Sequence, residues 1–281
     1  MIQTASRIRT TSVVQSALLG TFTLYQRRLA VATKTLSGIA GTMTPPVLWV
    51  LLIAPALDEA LGGFNPTIDY FTYVAVAQVA LIVPFTSMFS GINVIVDKEF
   101  GILREFLVAP VFRASIPIAN ALAVLTIASV QVALIIGLGT ARGAEFDTSV
   151  TGVLWFGSAV ALLSLTTYAI AEVLALAVGR QEAFGPLIPA VGVTPWFLSG
   201  SLFPLNVLPP VIEQISLAFP WTHALAVMRY GMMENTDSGL ANIWHLDSEL
   251  LMAGLSLGVL ALMAVGALAL AIRVFNRKTM A

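Results

Sequence analysis

No cysteine occurs among the 281 residues, and only 10% of them are charged. The first absence removes disulfides, thiolate nucleophiles and thiolate metal ligands from consideration. The second sets the chain far below the roughly one quarter of charged residues usual in a soluble domain. Phosphate-loop chemistry is missing as well: none of the lysines follows a glycine, so no G-x-x-x-x-G-K-[ST] motif is present to cradle ATP. There are two histidines, His223 and His245, and no H-E-x-x-H spacing to make a metal site. They read as aromatic-flanked interfacial residues ("WTH", "WH") or as groups that tune a pH-sensitive outer gate. No tandem repeat and no low-complexity tail is visible. The strict alternation of a membrane β-barrel is absent from runs such as "ALAVLTIASVQVALIIGLG".

What is there is apolar: 58% of the residues are hydrophobic, gathered in runs of about 20, the length that crosses about 30 Å of hydrocarbon. The fold class expected is an all-α integral membrane protein, one domain over residues 1–281. Six runs are read as spans: 38–57, 71–96, 117–138, one within 150–178, 184–203 and 250–272. The first holds Pro45, Pro46 and Pro55, which predicts a kinked helix packed against protein rather than lipid. The second is long enough to tilt or kink at Pro84.

Charge fixes the expected orientation, because basic residues stay on the cytoplasmic side. Arg7, Arg9, Arg27, Arg28, Lys34, Lys98, Arg104, Arg113, Arg180, Arg273, Arg277 and Lys278 make 12 of the 14 basic residues on one side. Arg142 and Arg229 fall on the other, among ten acids from Asp58 to Glu249. Both termini are therefore expected in the cytoplasm, and an even number of spans demands the same. "VVQSALLGTFTLY" is too short and too polar to span, and Arg27 and Arg28 follow it instead of a small-residue cleavage site. Abundant Ala, Val, Gly and Leu suit a bacterial inner membrane.

Before the first span, Val14, Leu18, Phe22, Tyr25 and Leu29 recur at spacings of four and three, one face of a helix. This is read as an amphipathic interfacial helix with its Arg pair near anionic headgroups, or as a solvated amphipathic leader. Between spans five and six, residues 204–249 are too apolar for a solvated loop and too broken to span. Pro210 suits a first helical position, and the ten residues from Pro210 to Phe219 reach only about 15 Å. A re-entrant half-helix in the outer leaflet fits, followed by a short helix with Thr222 as N-cap, while Ser248 caps span six.

Two features bear on function. Glu172 is the firm candidate for an intramembrane acid, placed near the cytoplasmic end of span four and close enough to the interface to be hydrated; it is either a packing residue or a proton carrier. The second is "DKEFGILREFLVAP", residues 97–110, a charged island between two apolar runs. On a helical projection Phe100, Leu103 and Leu107 share one face, with Lys98 and Glu105 opposite. Such a helix is suited to a partner protein's groove, or it is an ordinary interfacial loop helix.

"VDKEFGILREFLVAPVFRASIPIANAL" and "WFLSGSLFPLNVLPPVIEQISLAFPWTHALAVMRYGM" together resemble the type-2 permease family of ATP-binding-cassette exporters, the group that includes daunorubicin-resistance-like drug efflux permeases. The first has the acid-basic-acid start, the Phe-Gly, a charged helix and an L-x-A-P; the second has the Leu-Ser-Gly, Phe-Pro and Leu-Pro steps, a short helix, then Pro and an Arg-containing helix. The resemblance runs from about residue 20 to 275. It implies a permease without catalytic residues, which binds no cofactor, metal or nucleic acid itself and couples to a separate nucleotide-binding ATPase that holds ATP and Mg²⁺. It implies that Glu99, Phe100, Arg104 and Glu105 contact that subunit, and that Phe197, Phe203, Pro204 and Leu208 sit near an outer gate. A second permease copy or paralogue and membrane lipids complete the expected partners. The cargo that the resemblance implies is a drug, antibiotic or lipid-like amphipath, with alternating access as the expected mechanism. A proton-coupled transporter working without an ATPase is the competing reading.

Overall fold

The computed structural model describes residues 13–33, 43–45, 47–61, 69–103, 105, 112–233 and 238–280. Every regular element among them is helical. A first helix, α1 (Val13–Thr33), is followed by a π-helical turn (Trp49–Ile53) leading into α2 (Ala54–Leu61). Then come α3 (Tyr70–Glu99), α4 (Ser115–Ala141) and α5 (Val150–Val178). Three short helices follow, α6 (Gln181–Phe184), α7 (Leu187–Gly192) and α8 (Thr194–Leu198). After them stand a 3₁₀ turn (Leu205–Val207), α9 (Pro210–Ser216), α10 (Pro220–Met232), α11 (Leu240–Trp244) and α12 (Glu249–Met280).

Among the described residues five helices are long and apolar enough to cross a membrane: Met43–Ala60, α3, α4, α5 and residues Glu249–Lys278 of α12. The expected span at 184–203 is not one of them. Gly185 and Pro186, then Pro189, then Pro195 interrupt the run, each proline removing an N–H from the helical ladder, and the chain answers with three helices of four to six residues.

The proline-rich first run also departs from a plain helix. Pro55 has no N–H to return to the carbonyl four residues back, and the helix widens ahead of it: Ala54 N–H bonds to the Trp49 carbonyl, five residues away. Within the described residues this segment packs against little of its own chain. Val50 and Ala54 are buried, while Leu48, Leu52 and Ile53 are exposed. Expectations at Lys34, at residues 38–42, at Pro46 and at Leu107 and Pro110 lie outside the described residues.

The core is built on α3 and α5, which pack along each other; α10 and α12 close on α5, and α4 closes on α3. Local chemistry sets the ends. The Asp69 carboxylate accepts from the N–H groups of Phe71 and Thr72 at 3.1 and 3.4 Å, starting α3. The Ser149 hydroxyl accepts from Gly152 N–H at 3.0 Å to start α5, and Gly179, at φ +68°, ends it with a left-handed turn that costs glycine little. Ser248 Oγ accepts from Leu251 N–H at 3.4 Å at the start of α12, as expected. Pro210 does take the first position of α9. Thr222 is not a cap: α10 begins at Pro220, and the Thr222 hydroxyl instead donates back to the Ser216 carbonyl at 2.6 Å, tying α10 to the end of α9.

Nearly every residue of α10 is buried. Gly231 near its carboxyl end lies against Gly152 near the start of α5, and Tyr230 stacks edge-on against Trp155. The two helices therefore run antiparallel, with α10 lying along the first half of α5.

Candidate functional site

Three places hold polar side chains that the apolar helices do not need for packing. The first is the corner after α3. Phe100 N–H closes the last turn on Val96 O at 3.0 Å, and Gly101, at φ +74°, turns the chain out of the helix. That turn separates side chains that the helical projection had put on one face. Phe100 points outward, 75% exposed, whereas Leu103 is 8% exposed and packs with Ile116, Phe184, Ile188 and Phe275. Glu99 is exposed and accepts from the Gln181 amide at 2.9 Å, so α6 is tied to the same corner. Glu105, Phe112 and Arg113 are exposed nearby in sequence. Arg104 lies outside the described residues.

Beneath this corner Arg28 of α1 reaches inward. Its guanidinium pairs with Asp97 of α3 at 2.6 Å and donates to the Asn120 side chain of α4 at 2.9 Å. Tyr25 and Thr126 share a hydrogen bond of 3.0 Å one turn away. The expected headgroup position of the Arg pair is thereby corrected for Arg28, whose charge is held by protein. Leu18 and Phe22 of the same helix are exposed.

The second place is Glu172. It is fully buried, not hydrated at an interface as expected. Residues after Gly179 fold back over this end of the helices: the Phe184 ring comes so close to Gly91 that a Cβ there would meet it at 2.4 Å, beside the Ala171 carbonyl. One Glu172 oxygen accepts from the Tyr168 hydroxyl. The other, Oε1, has no hydrogen-bond partner among the described residues.

The third place lies at the other end of α3. Arg229, 3% exposed, donates two hydrogen bonds of 2.8 Å, to the carbonyls of Gly200 and Ser201. Its guanidinium carbon sits 3.4 Å from the centre of the Tyr73 ring. The Tyr73 hydroxyl donates to the same Gly200 carbonyl at 3.1 Å, and Tyr70 donates to Leu202 O at 2.9 Å. Gly200 permits the turn, with φ +76°. Trp196 anchors the preceding helix by donating to Ala77 O at 2.7 Å. Of the residues expected near an outer gate, Pro204 lines a small pocket with Tyr73, Gly200, Thr222 and Arg229. Leu208 is half-buried, and Phe197 and Phe203 stand exposed on either side of the clamped turn. Arg229 had counted only as a charge on the outer side; the signal it offered was a lone cation within "ALAVMRYGM".

His223, also on α10, is buried. Nε2 faces Leu217 O at 3.0 Å and must donate, because a carbonyl only accepts. Nδ1 is then the acceptor in the neutral ring, 3.4 Å from Ser256 Oγ, which itself accepts from the Trp244 indole at 2.7 Å. Burial pushes the His223 pKa below the ordinary imidazole value, with the Leu217 carbonyl pulling weakly the other way. His245 is exposed and left-handed at φ 52°. Among the described residues no group of three His, Asp or Glu side chains is placed to hold a metal.

An apolar helical bundle with a charged, aromatic-bearing corner at one end and a polar clamp at the other has the parts of a membrane permease. The family model described as ABC-2 type transporter matches residues 20–233 of the chain. The chain belongs to that family and is a membrane transport permease of the ABC-2 type. It is 27% identical over 194 residues to a protein of Mycobacterium tuberculosis named probable doxorubicin resistance ABC transporter permease protein DrrC, covering 68% of each chain. It is 26% identical over 195 residues to the putative transport permease ycf38 of Porphyra purpurea, covering 68% of this chain and 66% of that one. The match to ycf38 of Pyropia yezoensis is 27% over 188 residues, covering 66% and 64%.

Proposed function

We propose that this chain is the transmembrane subunit of an ATP-driven exporter that carries an amphipathic drug, antibiotic or lipid out of the cytoplasm or inner leaflet. The observation that carries the reading is the corner after α3. An aromatic side chain as exposed as Phe100, with Glu99, Glu105 and Arg113 also exposed nearby in sequence, has the composition of a protein contact and not of a lipid-facing helix end. ATP and Mg²⁺ bind on a separate nucleotide-binding subunit that docks here through Glu99, Phe100, Arg104 and Glu105. The permease itself makes and breaks no covalent bond.

The route of force through the permease is α3. Its 30 residues make a rod of about 45 Å, with the docking corner at one end and Tyr70 and Tyr73 at the other. Movement of the corner, driven by closure of the ATPase pair, reaches the turn at Gly200–Leu202 through those two tyrosines and Arg229. The clamp then belongs to the outer gate, with Phe197, Phe203, Pro204 and Leu208 around it. Two arrangements of the clamp, differently stabilised by the nucleotide state of the partner, give alternating access.

In this reading the chain crosses six times with both ends in the cytoplasm of a bacterial cell, the broken segment α6–α8 serving as the fifth crossing. The pair α9 and α10 is a re-entrant element in the outer leaflet, supported by the antiparallel course of α10 along the first half of α5. The open apolar face at Leu48, Leu52 and Ile53 suits a second permease copy or a paralogue, which would supply the protein contact that the prolines of the first span call for. The cargo class rests on the doxorubicin-resistance relative and on spans rich in apolar surface.

The test is co-purification with a co-expressed nucleotide-binding subunit. The parent chain should retain it, and the double variant Glu99→Ala, Phe100→Ala should lose it; failure of the parent to retain it rejects the reading. A proton-driven transporter is the alternative, and Glu172, buried with an unpartnered oxygen, is what favours it. Transport unchanged in Glu172→Gln and insensitive to an uncoupler removes that alternative.

A further inference from the structure

Arg28 stands at a junction that packing alone does not require. The corner at Glu99–Leu103 hangs between α3 and α4, and Arg28 bonds to both: to Asp97, two residues before Glu99, and to Asn120, in the second turn of α4. A guanidinium offers donors in a rigid fork, which allows two acceptors on different helices to be held at once. A second attachment, Tyr25 to Thr126, lies one turn back along α1 and further along α4. Two points fix a line, so α1 is not free to pivot about Arg28. Meanwhile Leu18, Leu19 and Phe22 are exposed on the same helix, an apolar surface for the membrane.

We infer that Arg28 is a positioning residue: it makes α1 a membrane-anchored strut that holds the two legs of the docking corner at a fixed separation, so that movement of the corner displaces α3 along its length instead of being spent in spreading α3 from α4. The inference rests on the proposed docking role of the corner and adds to it the device that makes docking productive. Asp97 is the charge partner, and Asn120 is the second point of the staple.

The absence of cysteine makes the test direct. Spin labels at Asn93→Cys on α3 and Ile118→Cys on α4, both exposed, report the separation of the two legs in the permease reconstituted with its nucleotide-binding subunit. With the parent background the distance distribution should be narrow both without nucleotide and with ATP bound. Arg28→Gln and Asp97→Asn should each broaden it and let it lengthen on ATP binding, and ATP-driven transport should fall by about 2- to 30-fold, the span of coupling effects for residues between sites, while the nucleotide-binding subunit still co-purifies. The exchange Arg28→Asp with Asp97→Arg should restore most of the narrowness and of the transport, and Asn120→Leu should give an intermediate loss. A distribution in Arg28→Gln that stays narrow and does not lengthen with ATP overturns the proposal. So does a loss in both single variants that the exchange fails to recover, since a general folding defect would then explain it. Failure of the parent permease to retain the subunit strikes the docking reading instead, and the ATP-free width of the distribution still tests the staple by itself.

Discussion

Replacing Gly231 by alanine should be among the most damaging single methyl additions available in this chain. A Cβ there would lie 2.6 Å from the Gly152 carbonyl oxygen and 2.9 Å from Phe156 N, and the reciprocal Cβ on Gly152 would lie 2.2 Å from the Gly231 oxygen. Real Cβ contacts essentially never fall under 3.0 Å, and here the obstacle is backbone on both sides, so no rotamer change relieves it. The helices α5 and α10 must separate by several tenths of an ångström. Overpacking of this kind costs about 1–3 kcal/mol. The displaced α10 also carries Arg229, whose two bonds of 2.8 Å to the 200–201 turn would stretch; weakening hydrogen bonds made by a charged group adds about 1–2 kcal/mol. A total near 3 kcal/mol corresponds to a drop of roughly 6–10 °C in the unfolding midpoint of a chain this long. The measurement is thermal unfolding in detergent. Gly157→Ala on α5 and Gly258→Ala on α12 serve as controls, because nothing lies within 4 Å of a Cβ at either position; alanine there should be neutral or gain up to about 1 kcal/mol of helix propensity. Equal midpoints for Gly231→Ala and Gly157→Ala would show that the α5–α10 contact is not the close backbone approach described.

Arg229→Met keeps the volume but takes the donor from the Ser201 carbonyl, at about 1–3 kcal/mol, and leaves the Gly200 carbonyl with the Tyr73 hydroxyl, so the midpoint should fall and transport should be lost; Arg229→Lys, with one compact charge in place of the fork, should fall between. An unaltered midpoint in Arg229→Met refutes the clamp. His223 gives a pH signature with a determined sign. Its folded-state pKa is lowered, so below about pH 6.5 the unfolded chain binds a proton that the native chain refuses, and stability falls with acidity by at most about 1.4 kcal/mol per pH unit. His223→Gln should flatten that slope between pH 6.5 and pH 5 in a series of unfolding midpoints, and a slope that persists places the titrating group elsewhere. Phe100→Ala removes an exposed side chain with little left to pack against; its midpoint should match the parent within experimental scatter while retention of the nucleotide-binding subunit drops, and loss of stability without loss of retention would contradict the docking role.

The long helices were legible because crossing a membrane requires length and apolarity, both properties of a contiguous run: α3, α4, α5 and α12 all sit where those runs are. Caps were legible where the capping atom is local, as at Ser248, and proline was legible as a start at Pro210. Thr222 shows where local rules stop, since a hydroxyl that is placed to cap its own helix is drawn instead to Ser216 across the preceding turn. The segment at 184–203 fails for a related reason, because hydropathy averages over prolines that the hydrogen-bond ladder cannot ignore. Phe100 and Leu103 were put on one face by a projection that assumes a continuous helix, and Gly101 breaks it between them. Of the residues that proved most informative, Arg229 was read as a vote on which side of the membrane a loop lies, and Arg28 as such a vote and as half of a headgroup-facing pair. That rule counts charge and is blind to depth, and it has no way to know that Asp97, Asn120 and the Gly200 carbonyl are waiting 69, 92 and 29 residues away. In an apolar bundle a cation buried on a helix must have such partners, because leaving it unpaired costs more than the fold can spare. A lone arginine inside an apolar run is thus evidence about a neighbouring helix, and its polar partner is where the search for moving parts should begin.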